Sequence, residues 1–109
     1  MRKLHLALGV ESVEATVKDY SQRFGQAPDL VVPGEYALWR TEQLNVSVRK
    51  TDAAGAGTLR HLGWETDDAA TFTHDTDCNG IVWESFAARH QAEEINELWP
   101  DVVYRVRQV

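Results

Sequence analysis

The chain has one cysteine, one methionine and three prolines in 109 residues. A lone Cys78 cannot close an internal disulfide, which excludes the small secreted scaffolds stapled by several bridges and makes a reducing cytoplasm the expected setting. No apolar run approaches the roughly 20 residues of a membrane-spanning helix, and no small-residue cleavage site follows Arg2 and Lys3, so neither a membrane span nor an export signal is expected. Positive charge is scarce: 11 Lys and Arg stand against 17 Asp and Glu, a net charge of -6 that disfavours a phosphate backbone as partner and so excludes nucleic acid. Arg2, Lys3, Arg105 and Arg107 would form a small basic edge if the termini paired, as cations that keep an edge strand soluble. A glycine-rich phosphate loop and a serine-nucleophile elbow are both missing, which removes the commonest phosphoryl-transfer and acyl-transfer machinery.

What is present is ordinary for one globular domain, with 43% hydrophobic and 26% charged residues and enough length for one core. Residues 3 to 10 alternate, with Leu4, Leu6, Leu8 and Val10 on one face and His5, Ala7 and Gly9 on the other, as in a strand between two environments. Ser12 then stands at an N-cap position, Val13, Val17, Tyr20 and Phe24 recur at helical spacing, and Gly25 and Pro28 stop the run. This helix is expected to cover the Leu4, Leu6, Leu8 and Val10 face, leaving His5 on the other side. Strands are expected over Leu30 to Val32, Tyr36 to Arg40 and Leu44 to Arg49, then a flexible connector over Thr51 to Gly57. Beyond it come strands over Thr58 to Glu65, around Ala70 to His74 and over Ile81 to Phe86, the last pair joined by the Asp77-Cys78-Asn79-Gly80 turn. Ala88, Ala92, Ile95 and Trp99 mark a second helix, and Val102 to Val109 alternates like an edge strand.

Three of these strands each place one metal-capable side chain in an otherwise apolar run: His5, His61 and Glu84. Two imidazoles and a carboxylate suit iron, manganese, nickel or zinc and can leave coordination positions open for a substrate. Each has a plainer reading. A histidine on a half-buried strand is usually held by ordinary hydrogen bonds, and Glu84 could pair with Arg49 or Arg40 instead. Tyr36, Trp39, Trp64 and Trp83 could line an apolar pocket or pack the core, and Trp99 could serve the core or a dimer contact. His74 and Asp75 stand near the turn, His90 on a polar helix face, and Cys78 without an adjacent cation to activate it.

The stretch from His5-Leu6-Ala7-Leu8-Gly9-Val10-Glu11 to Phe24-Gly25, the strand Leu59-Arg60-His61-Leu62-Gly63-Trp64-Glu65 and the hairpin from His74 to Phe86 together resemble the vicinal oxygen chelate superfamily. Glyoxalase I, bleomycin-resistance proteins and extradiol dioxygenases belong to it. The resemblance implies an α+β fold in which two βαβββ modules form a cup with a divalent metal on its concave wall: residues 1–50 the first module, 51–57 a connector, 58–109 the second half. It places His5, His61 and Glu84 at ligand positions, with Glu84 also catalytic; Tyr36, Trp39, Trp83 and Arg49 are the expected substrate contacts. Two features depart from that pattern. The fourth ligand, a Glu ending the fourth strand, would fall near Val48 or Arg49, and the second half has no room for a helix between its first two strands but gains one after Glu84. The implied activity is a metal-assisted lyase, isomerase or dioxygenase acting on an oxygen-bearing small molecule. The alternatives are a metal-independent binding protein of the bleomycin-resistance type and a homodimeric interaction module. A homodimer is expected in any case, with the cup completed by a second copy or by the C-terminal helix.

Overall fold

A computed structural model describes residues 2–107. The elements run β1 (Arg2–Val10), α1 (Val13–Phe24), β2 (Leu30–Val32), β3 (Tyr36–Arg40), β4 (Leu44–Lys50), β5 (Leu59–Thr66), β6 (Thr73–Thr76), β7 (Val82–Phe86) and α2 (Ala88–Leu98). The seven strands make one curved mixed sheet in the order β2-β3-β4-β1-β5-β7-β6, so the fold is α+β, with a βαβββ first half and a second half whose one helix follows its last strand. Pairings are parallel for β1 with β4 and for β5 with β7, and antiparallel elsewhere. The two halves meet where β1 runs antiparallel to β5.

Helix α1 begins where Ser12 leaves the extended region and its Oγ accepts the Ala15 N–H at 3.1 Å. It ends at Gly25, whose φ of 70° suits a residue without a Cβ and lets the amides of Gly25 and Gln26 close onto Gln22 and Ser21. Removing the Ser12 hydroxyl orphans an N-terminal donor, so Ser12→Ala should lower stability by about 1 kcal/mol in a urea titration with an unchanged m-value. The helix packs Val13, Val17, Tyr20 and Phe24 onto Val10, Ala37, Trp39 and Val48, with Leu8 alongside. Its footprint is thus centred on β3 and β4 and takes in only the end of the β1 face expected to lie beneath it.

Strand alternation sends Val32, Tyr36 and Leu38 to the opposite face, where α2 lays down Ala92 and Ile95 and the following segment adds Tyr104. Trp99, Val102 and Val106 flank this cluster. The expected terminal strand does not form over residues 102–107, and positions 108 and 109 lie outside the described residues. Two local contacts explain the difference. Val103 has a φ of 51°, which no extended strand tolerates, and the Asn96 amide holds both the N–H and the C=O of Tyr104. Three of the four terminal cations have partners of their own: Arg2 lies 3.8 Å over the Trp64 ring, Lys3 donates to the carbonyls of Thr41 and Glu42, and Arg107 pairs with Asp29. The strand expected around Ala70 to His74 is displaced to Thr73–Thr76, where it pairs with β7 across the Asp77 turn. No helix among the described residues is long and apolar enough to cross a membrane.

Candidate metal centre

His5, His61 and Glu84 come from β1, β5 and β7, three consecutive strands at the middle of the sheet, and project from the face that α2 partly covers. Their ligand atoms all lie within 4.8 Å of one another. His5 Nε2 stands 3.0 Å from His61 Nε2, His61 Nε2 is 3.0 Å from Glu84 Oε1, and His5 Nε2 is 3.9 Å from the same oxygen. Two ligands about 2.1 Å from one ion and roughly 90–110° apart would be separated by about 3.0–3.4 Å, so two of the three pairs already have the spacing of neighbours in a coordination shell. The group could hold a metal ion.

The protonation state of His5 favours ligation. Its Nδ1 faces only acceptors, Asn45 Oδ1 at 2.9 Å and the Asn45 carbonyl at 3.1 Å, so that nitrogen carries the hydrogen and Nε2 presents a lone pair. Burial holds the imidazole below its ordinary value, against the opposing effect of the Asn45 hydrogen bond, and the ring is therefore neutral at pH 7, as a ligand must be. Two imidazole nitrogens 3.0 Å apart need a proton or a cation between them, and the Glu84 carboxylate on the same spot favours positive charge there.

Behind His5 lies a polar chain that the sequence did not disclose. Asn45 Nδ2 donates to Glu65 Oε1 at 2.9 Å and to Gln91 Oε1 at 2.8 Å, while Gln91 Nε2 returns a bond to Asn45 Oδ1. Glu65 receives two bonds from Arg40, Nε at 2.9 Å and Nη2 at 2.8 Å. Burial pushes the Glu65 carboxyl up, but its bonds to Arg40 and Asn45 outweigh this and hold it below the usual range. Such outer partners fix the tautomer and direction of a metal-binding histidine. Parity contained part of this signal: Asn45 and Ser47 interrupt an apolar strand on alternate positions, Glu65 shares the parity of His61, and Gln91 sits in the apolar stripe of α2.

Two local devices aim the side chains. At the Ala7/Leu8 step β5 carries one extra residue, so Arg60 and His61 both reach the cavity despite being neighbours. Gly63 pairs with Glu84, and a Cβ there would stand 2.4 Å from the Glu84 carbonyl oxygen, so this glycine lets β7 approach closely.

The cavity over these three side chains measures about 60 Å³, and Tyr36, Arg49, Phe72, Phe86, Glu94 and Trp99 are among its walls. Of the expected substrate contacts, Tyr36 and Arg49 line it and Trp39 and Trp83 do not. Trp39 is fully buried under α1 against Tyr20 and Phe24, on the far face of the sheet. Trp83 is adjacent to Glu84 on a regular strand and so points the other way, where its Nε1–H donates to Asp77 Oδ2 at 2.9 Å. Neither salt bridge considered for Glu84 forms, since Arg40 is engaged by Glu65 and Arg49 lies 5.5 Å over the Trp99 ring. Val48 lies in the α1 core, so β4 supplies Asn45 behind His5 in place of a fourth ligand. His74 and Asp75 are exposed on β6, Cys78 is exposed in the turn, and His90 Nδ1 accepts the Ala87 N–H. Glu94, not anticipated, has its carboxyl raised by burial and by the nearby Glu84.

No protein-family model matches the chain. A curated protein of Thermomonospora curvata, named trivalent organoarsenical cleaving enzyme, is 37% identical over 76 residues, covering 68% of this chain and 50% of that protein. The chain thus spans about half the length of this relative.

Proposed function

We propose that the chain is a glyoxalase-like enzyme of the vicinal oxygen chelate type, with a divalent ion held by His5, His61 and Glu84 and a small oxygen-bearing molecule as substrate. The observation that carries this reading is the convergence of two imidazole nitrogens and one carboxylate oxygen within 4.8 Å on three adjacent strands. The similarity to an enzyme over 76 residues supports it. Bound there, iron, nickel, manganese or zinc would supply Lewis-acid polarisation of substrate oxygens.

The chain's own residues have distinct tasks in this scheme. Asn45 and Glu65 keep the His5 ring fixed and its Nε2 unprotonated, so that no reorganisation is needed when substrate arrives. Tyr36, Phe72 and Phe86 exclude water from one side, and Arg49 and Arg60 favour an anionic substrate group. Glu94, whose carboxyl is raised by burial, is positioned to hold a proton at the cavity wall. A free volume of about 60 Å³ is roughly that of two waters. An oxygen pair therefore fits with α2 in place. The named substrate class of the relative makes a trivalent organoarsenical the first compound to assay.

The test is elemental analysis of protein stripped and reloaded with each of the four metals. About one equivalent should remain in the parent chain, and His61→Ala and Glu84→Ala should each weaken retention by more than about 100-fold, since even outer-shell changes reach 10–100-fold. Equal retention in Glu84→Ala would overturn the reading, as would turnover of a substrate that survives in both variants.

A further inference from the structure

On the face of the sheet that α1 occupies, only one half is covered. Helix α1 lays its apolar stripe over β3, β4 and the far end of β1, and α2 packs on the opposite face, so no helix among the described residues lies over β5 and β7 on the α1 side. The second half has no counterpart of α1, because residues 67–72 join β5 directly to β6 where the first half places a helix.

Register identifies what that bare face carries. Leu4 pairs with Trp64, Leu6 with Leu62, and Leu62 with Trp83, and the side chains of paired residues stand on the same face. Leu8 pairs at the bulge with Leu59, which is 40% exposed. Leu4, Leu6, Leu62, Trp64 and Trp83 each keep part of their surface in water, and none joins either core cluster. A contiguous apolar area of this kind marks a contact surface.

The charges on the same face select the occupant. By alternation, Arg2 and Asp75 are the charged residues that β1, β5, β7 and β6 present there, and both are exposed. They stand at opposite corners: Arg2 pairs with Thr66 at the start of β1, and Asp75 pairs with Trp83 from the outermost strand. Strands about 4.8 Å apart, rising about 3.3 Å per residue, separate the two by roughly 14 Å across the strands and roughly 13 Å along them, with Trp64 near the midpoint. A two-fold axis lying in this face, perpendicular to the line between them, sets Arg2 of each copy over Asp75 of the other. The strands of the two sheets then cross at roughly 90°, one of the two ways in which sheets pack face to face. The face is therefore complementary to itself in charge, as an isologous contact requires.

We propose that a second copy of this chain covers this face, with Leu4, Leu6, Leu62, Trp64 and Trp83 at the centre of the contact and reciprocal Arg2 and Asp75 pairs at its rim. In the single chain Arg2 lies 3.8 Å over the Trp64 ring and shields it in part. Four strands by six residues give roughly 400 Å² in plan on each copy, which puts the contact at the small, reversible end of specific interfaces. The ligand cavity lies on the opposite face, so this contact does not depend on the metal reading.

Sedimentation velocity of the full chain between about 1 μM and about 1 mM tests this, since weak specific contacts dissociate in that range. The parent should show a reversible equilibrium between monomer and dimer. Asp75→Arg and Arg2→Asp should each raise its dissociation constant at least tenfold, because each sets like charges against one another twice. The double variant should return to within about threefold of the parent, since the charges only trade places and their coupling is restored. Leu59→Asp should also weaken the dimer, whereas Val103→Asp, 65% exposed in the segment after α2, should leave it unchanged. All four positions are exposed, so a folding failure is not the expected cause of any loss, and thermal unfolding of each variant checks that. A parent that stays monomeric at the highest concentration would overturn the proposal. So would a dimer that both single reversals leave intact, a double variant no tighter than the singles, or a loss confined to Val103→Asp.

Discussion

Gly63→Ala is expected to lose about 3 kcal/mol or more of stability and, with the metal site proposed above, most of the metal retention. The added Cβ would meet the Glu84 carbonyl oxygen at 2.4 Å, its carbonyl carbon at 3.0 Å and its nitrogen at 3.1 Å, all of them backbone atoms. No rotamer change relieves such a clash, so β5 and β7 must part where they run parallel, which places the effect at the upper end of the range for overpacked sites. Glu84 moves with its backbone, and the carboxylate oxygen leaves the 3.0 Å contact with His61. Thermal or urea unfolding measures the first effect and elemental analysis the second. A variant within 0.5 kcal/mol of the parent that keeps its metal would show that the strand spacing does not set the site.

The second large effect belongs to the pair behind His5. Arg40→Leu leaves Glu65, only 5% exposed, with an uncompensated negative charge, and such broken buried pairs lose about 3–5 kcal/mol. The double variant Arg40→Leu with Glu65→Leu should recover most of that, because the damage comes from the stranded charge more than from the loss of attraction. The pH dependence follows from the direction of the Glu65 shift. Its carboxyl is held below the usual range in the folded chain, so its contribution is fully present above the unfolded carboxylate value of about 4.3 and is lost as pH falls through the lower folded value. The stability gap between the parent and Arg40→Leu should therefore be widest near neutrality and narrow in acid, as protonation removes the stranded charge. A gap that stays constant from pH 7 to pH 3 would mean that lost packing of the arginine stem, not charge, is responsible.

The convergence of the three metal-capable side chains was legible because each member interrupts an apolar strand, and strand recognition requires only local alternation. The residues that hold those ligands were not, because their relation to His5 runs through pairings that local pattern does not encode. His5 faces Asn45 only because β1 lies parallel to β4, a register set by the crossover through α1 and two more strands. The placement of Trp83 is different, since the information was present. Neighbours on a regular strand point to opposite faces, so Trp83 and Glu84 could not share a cavity, and choosing Glu84 already excluded the tryptophan. Trp39 needed one further fact, the face taken by α1, which follows from the Val13, Tyr20 and Phe24 stripe only when β3 and β4 are known to lie beneath it. The terminal strand failed for a local reason that composition hides. The alternation of Val102, Tyr104 and Val106 is real, yet Asn96 offers the Tyr104 backbone a substitute for a neighbouring strand.

The position of β1 between β4 and β5 has a consequence for how the chain acquires its shape. No strand beside β1 in the sheet is its neighbour in sequence, and the two histidines that meet across that seam are 56 positions apart. Pairings of this kind must meet loop-closure entropy before any contact rewards them, which places the molecule among slow-folding topologies. At about 5–20 residues per second, a ribosome needs roughly 3–11 s to travel from His5 to His61. Until β4 emerges β1 has both flanks unpaired and until β5 emerges it still has one, so a nascent chain is most exposed to misassociation while the strand that carries His5 waits for the strand that carries His61.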